Sequence, residues 1–138
     1  MKYLIIFFSC IFLFQYANGQ DRDEPIITKS IFFGGGSYYV DPQQEAALKE
    51  LIKSIKSLEL YEVYVHGHTD DIGSLEYNQR LSDMRTDMVI QKIKNSGIAP
   101  ESIFEKDFGE NSPIYDNNTR EGKLKNRRVD IIFKKLQM

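Results

Sequence analysis

Three groups of residues in this chain have types and spacings that chemistry uses. His66, His68 and Asp70 occupy alternate positions, which on a strand would put three metal-binding side chains on one face. Gly34-Gly35-Gly36-Ser37 is a run that lets backbone come close to a ligand, although it lacks the Gly-Lys-Ser/Thr ending of a phosphate loop. The third group centres on Arg85. With Leu81 at the zero of a helical wheel advancing roughly 100° per residue, Arg85 falls at about 40° and Asn78 at about 60°. Tyr77, Met84 and Met88 flank that arc on one side, and Val89 and Ile93 on the other. Arginine keeps its charge under all protein conditions, so a guanidinium turned inward needs something negative.

Asp70 is the nearest candidate anion in sequence. It follows a strand and precedes the helix bearing Arg85, so both face the carboxyl end of that strand, where α/β sheets usually bind ligands. Two readings stay open on this evidence. Asp70 and Arg85 form an internal ion pair, a weak stabiliser because desolvation offsets most of the attraction. Alternatively they are held apart and receive a zwitterion, the ammonium on Asp70 and the carboxylate on the Arg85 fork. A metal-dependent hydrolase built on His66, His68 and Asp70 is the rival from another class. The chain has only 2 histidines and 1 cysteine, so further ligands would have to be carboxylates, which is unusual for zinc.

The elements that must position these groups read clearly. Ile26 to Phe33 is rich in β-branched and aromatic residues, a first strand. Asp41-Pro42 is a helix start, followed by Leu48, Leu51, Ile52, Ile55 and Leu58 at helical spacing. Tyr61 to His68 alternates, with Val63, Val65 and Gly67 on one face. A second helix runs from about Leu75 to Asn95 and ends at Gly97. Ile103 to Phe108 is a third strand, Thr119 to Lys125 a short helix, and Arg128 to Phe133 a last alternating strand. The order β-α-β-α-β-(α)-β predicts an α/β fold of crossover units, a sheet covered by helices.

Composition sets the outer limits. The 138 residues are 41% hydrophobic and 28% charged, enough for one core. A formal charge of −2 supplies no basic field for nucleic acid or an anionic membrane. Lys2, the apolar run Leu4 to Phe14, and Ala17-Asn18-Gly19 read as a signal peptide over residues 1–19, cleaved before Gln20. The run is shorter than the ~20 apolar residues a spanning helix needs. Cys10 continues into Ile11-Phe12-Leu13-Phe14, which argues against lipid attachment there. Removing Lys2 from the 18 basic residues leaves 17 against 20 acidic ones, a charge of −3. Residues 20–25 form a charged, flexible lead-in, and 26–138 form one domain. No nucleophile is paired with a base, so no enzymatic activity and no cofactor is expected.

Val65-His66-Gly67-His68-Thr69-Asp70, then Gly73, Tyr77-Asn78, Leu81-Ser82, Arg85 and Val89, resembles the core signature of OmpA-like peptidoglycan-binding domains of the OmpA, Pal and MotB type. Gly97-Ile98, Phe108-Gly109, Pro113, Asn118-Thr119, Glu121-Gly122 and Asn126-Arg127-Arg128-Val129-Asp130-Ile131 are similar to the family's second half, in order. The resemblance covers Ile26 to Phe133. It implies an α/β fold of the α+β sandwich kind, a βαβαβ-type mixed sheet with helices packed on one face. It also implies non-covalent binding of peptidoglycan, with Asp70 and Arg85 holding the diaminopimelate of the stem peptide and Thr69, Asn78 and Leu81 lining the pocket. Arg127 and Arg128 match the family's arginine pair. Alternation sends them to opposite faces, so at most one reaches the site; Arg128 is a candidate, and which of the two faces the site stays open. The family's acidic residue after the first strand is replaced here by Gly34-Gly35-Gly36. The resemblance further implies a periplasmic, cell-wall or outer-membrane location in a Gram-negative bacterium, with outer-membrane proteins as further partners. A scaffold of the same fold that binds another protein instead is the remaining alternative, supported by the glycine departure.

Overall fold

The structure is a computed structural model that describes residues 26–137; the leader (1–19) and the lead-in (20–25) expected from the sequence lie outside the described residues. Four strands form one sheet in the order β1-β4-β2-β3: β1 (Ile27–Phe32), β2 (Tyr61–Gly67), β3 (Ile103–Asp107) and β4 (Arg128–Lys135). β2 and β3 run parallel, whereas β4 is antiparallel to both β1 and β2. The parallel pair needs a crossover, which is the long helix α2 (Leu75–Lys94). α1 (Pro42–Ser54) precedes β2, and α3 (Arg120–Asn126) precedes β4. Among the described residues no helix is long and apolar enough to cross a membrane.

Each helix begins where a side chain meets its first free N–H groups. Asp41 accepts from the backbone of Gln43 and Gln44 ahead of Pro42, Ser74 caps α2 through Tyr77 N, and Thr119 caps α3 through Gly122 N. The core lies between the sheet and α1 and α2. Ile31, Val63, Val65, Val129, Ile131 and Phe133 point into it from the strands and are fully buried; Leu48, Ile52, Val89, Ile90 and Ile93 meet them from the helices. Each such side chain contributes roughly 1.5–3 kcal/mol of burial. On the opposite face Tyr64 stacks on Phe104 and His68 on Phe108, at 5.2 and 5.0 Å between ring centres.

The buried arc of α2 is displaced from the one its apolar residues suggest. Tyr77 and Met84 are largely exposed, while Ser82 and Thr86 are fully buried beside Arg85. Two polar contacts explain the rotation. Thr86 Oγ1 donates to Asp107 Oδ1 at 2.6 Å, and Ser82 Oγ accepts from Gly109 N at 3.1 Å. These bonds tie α2 to β3 and to the loop after it, and they carry Arg85 to the end of the sheet.

Candidate functional site

The site lies at the carboxyl end of β2. The chain leaves that strand through His68, Thr69 and Asp70, all buried. Thr69 N donates to Gly109 O at 2.8 Å and His68 N to Arg128 O at 2.9 Å, so the segment is held from both sides. Gly67 is the point of closest approach. A Cβ there would stand 2.3 Å from Thr86 Oγ1 and 2.7 Å from Ser82 O. With only hydrogen at Gly67, α2 lies directly against β2, and Arg85 reaches the strand's end.

Arg85 is 1% exposed. Its Nε donates to Ser37 O at 2.8 Å, Nη1 to His68 O at 3.0 Å and Nη2 to Gly34 O at 2.9 Å, and its carbon lies 5.0 Å from the centre of the Phe33 ring. Three of its five N–H groups are thus committed to backbone carbonyls, leaving one on each terminal nitrogen. Among the described residues no carboxylate comes within 4.0 Å of it. Burial pushes its pKa down to about 10, countered by Asp70 and reinforced by Arg127. The guanidinium is solvated by carbonyl dipoles while its charge stays unpaired, and a buried charge in that condition is costly.

Asp70 is held by a different cation. Arg127 Nε donates to Asp70 Oδ2 at 2.7 Å, while Asp70 Oδ1 accepts only from Ile72 N at 3.3 Å. Both terminal nitrogens of Arg127 make no hydrogen bond among the described residues. Gly35 passes over them, and a Cβ added there would stand 3.4 Å from Arg127 Nη1. The glycine run therefore does two things: its carbonyl at Gly34 holds Arg85, and at Gly35 it passes Arg127 without adding a side chain over a group that is 17% exposed. Gly36 adopts a φ of +66° close to the Tyr77 hydroxyl, a conformation in which glycine is at home.

The remaining candidates separate into those near Asp70 and one that is not. Asn78 is fully buried, and its Nδ2 donates to Asp70 O at 3.3 Å and to Glu110 Oε2 at 2.5 Å. Among the described residues its Oδ1 and the Thr69 hydroxyl are both buried without a partner, which is uncommon in folded proteins. Leu81 is 5% exposed yet stands apart from the main core cluster. Arg128 is a correction. It points to the other face of the sheet, where its Nε donates to both oxygens of Asp130, at 3.2 and 3.0 Å, and its Nη1 to Asn126 Oδ1. The reason is position: Arg127 closes α3 ahead of β4, whereas Arg128 is the first strand residue and alternates with the inward Val129.

The His66-x-His68-x-Asp70 pattern does not converge. His68 stacks on Phe108 and lies 3.7 Å from Asp130 Oδ2, on the face away from Asp70. Burial, assisted by Arg128, drives its pKa down to about 4. Among the described residues no group of three or more metal-ligating side chains is assembled.

The OmpA family matches residues 32–127 of this chain. The outer-membrane lipoprotein YfiB of Pseudomonas aeruginosa is 30% identical over 106 residues, covering 77% of this chain and 63% of that protein. Outer membrane porin F of Pseudomonas fluorescens is 40% identical over 91 residues, covering 66% of this chain but 28% of that one. The chain thus spans less than two thirds of the length of either relative. Among solved structures, the peptidoglycan-associated lipoprotein of Burkholderia pseudomallei superposes with a TM-score of 0.71 at 25% identity, covering 77% of this chain and 90% of that one. The periplasmic domain of Helicobacter pylori MotB gives 0.64 at 21% identity, covering 80% and 75%.

Proposed function

Because the chain belongs to the OmpA family, we propose that it binds peptidoglycan without chemically changing it, through the diaminopimelate of the stem peptide. The observation that carries this reading is Arg85: a cation 1% exposed, held by three carbonyls, with no carboxylate within 4.0 Å among the described residues. A ligand carboxylate supplies the missing charge. Diaminopimelate carries ammonium and carboxylate on one carbon, so its carboxylate approaches Arg85 while its ammonium approaches Asp70 and the bare Asn78 Oδ1. Thr69 and Leu81 complete the wall. A relative named as a peptidoglycan-associated lipoprotein and others named as outer-membrane proteins support a place in the bacterial envelope. In this reading residues 1–19 are an export leader, 20–25 a lead-in, and 26–138 the wall-binding domain.

Charge-assisted hydrogen bonds contribute about 1.5–3 kcal/mol each. A few of them, less the cost of ordering the ligand, give affinities of roughly micromolar to millimolar, and repeated sites along the wall polymer strengthen the hold by avidity. The test is co-sedimentation with insoluble peptidoglycan. Wild type pellets, and Arg85→Ala stays in the supernatant with an unchanged circular dichroism spectrum. Equal pelleting of the two proteins would overturn the reading.

A further inference from the structure

We propose that Arg127 sets the specificity of this site: it neutralises Asp70 and offers its open fork to a carboxylate, so the site selects ligands by carboxylate rather than by ammonium. The inference rests on the reading of the Asp70–Arg85 site given above. It departs from a simple division of labour in which one acid takes the ammonium and one arginine takes the carboxylate.

Three observations carry it. First, one of the two Asp70 oxygens is held by Arg127 Nε at 2.7 Å, so the carboxylate that an ammonium would seek already has a cation beside it. Second, Arg127 commits only that one nitrogen, so its planar pair of terminal N–H groups remains available in the geometry that matches a carboxylate. Gly35 adds no side chain over the pair, where a Cβ would start 3.4 Å from Nη1, and the Arg127 side chain keeps 17% of its surface exposed. Third, the charges do not balance. Two guanidinium groups, Arg85 and Arg127, share one carboxylate, Asp70. Of the neighbouring acids, Asp71 is paired with Lys123, and Glu110, which keeps its charge on the neutral Asn78 amide, is not among the groups that act on Arg85. The residual local charge is positive, and its complement is an anion.

The experiment uses three small molecules on one carbon skeleton: meso-diaminopimelate, with both kinds of charge; pimelate, with the carboxylates alone; and 1,5-diaminopentane, with the ammonium groups alone. Each is titrated into ¹⁵N-labelled full-length protein and followed by NMR. Pimelate is expected to bind within about tenfold of diaminopimelate, and the diamine at least tenfold more weakly than pimelate, the ratio one charge-assisted bond supplies. Arg127→Gln frees Asp70, so pimelate weakens about tenfold while the diamine strengthens. Arg127→Lys keeps the charge beside Asp70 but loses the fork, so pimelate weakens and the diamine does not gain. A role for Arg127 in folding alone would weaken all three ligands together and leave their order unchanged. Diaminopimelate binding with pimelate silent, or an order unmoved in Arg127→Gln, overturns the inference and spares the parent reading. Silence from all three ligands overturns both.

Discussion

Arg127 donates from Nε to Asp70 Oδ2 at 2.7 Å, across 57 positions of sequence. This one bond joins the end of α3 to the loop leaving β2, and it makes Asp70 the holder of Arg127 in addition to the ligand contact proposed for it. Under the proposed function Asp70→Ala loses two things, the partner proposed for the ammonium and the anchor of Arg127. We expect the variant to stay in the supernatant of the peptidoglycan assay and to keep a near-native circular dichroism spectrum. Retained pelleting would show that neither loss matters.

Much of this arrangement was legible in the sequence, for reasons that differ by residue. Val63, Val65, Val129, Ile131 and Phe133 alternate, and a strand with one buried face must alternate. Arg85 was legible as an anomaly, a permanent charge inside an apolar arc. Whether it pairs with Asp70 or stands apart from it was left open by the residues alone, because the groups that hold it are carbonyls of Gly34, Ser37 and His68, and a carbonyl belongs to every residue alike. The choice between Arg127 and Arg128 turned on which one begins β4, a boundary set by a backbone bend that periodicity does not mark. Ser82 and Thr86 were missed because a buried hydroxyl looks like a surface one until its partner is known.

The fit of α2 against β2 predicts a large effect from a small change. Gly67→Ala would place a methyl group 2.7 Å from the Ser82 carbonyl and 2.3 Å from Thr86 Oγ1. Backbone cannot step aside as a side-chain tip can, so helix and strand must separate. Overpacking of this kind costs about 2–3 kcal/mol, and urea unfolding should show a lower midpoint. Binding should weaken as well, since Arg85 moves with α2. A midpoint equal to wild type would contradict the packing described here.

The glycine loop makes a different prediction. Gly36 has a φ of +66°, and an added Cβ would meet the Tyr77 hydroxyl at 3.2 Å. Gly36→Ala costs about 1–2 kcal/mol in that conformation, and the strain falls on the loop whose Gly34 and Ser37 carbonyls hold Arg85. We expect weaker pelleting with peptidoglycan and only modest loss of thermal stability. Unchanged pelleting would separate the loop from the site.

His68 gives the fold a pH dependence. Burial first, and Arg128 and His66 after it, lower its pKa from 6.5 to about 4, against the pull of Asp130. The folded protein therefore binds fewer protons than the unfolded chain between those values. The resulting stability is complete above pH 6.5 and is lost as the pH falls toward 4. The difference amounts to about 2–3 kcal/mol. His68→Phe preserves a ring against Phe108 and cannot titrate, so its unfolding midpoint should fall less than that of wild type between pH 7 and 4. Parallel curves would show that the ring carries no such penalty. His66, lowered in the same direction by burial, remains in both proteins and cancels.

The central claim is that the spare N–H groups of Arg85 are met by a ligand carboxylate, and the guanidinium's own resonances report on it. Wild-type protein is titrated with meso-diaminopimelate and, separately, with lysine blocked at its α-carboxylate, and the Arg85 Nε–H signal is followed, assigned by its loss in Arg85→Lys. The signal should shift and saturate with diaminopimelate and hold still with the blocked lysine. An Arg85 signal indifferent to diaminopimelate, while resonances elsewhere respond, would contradict the account.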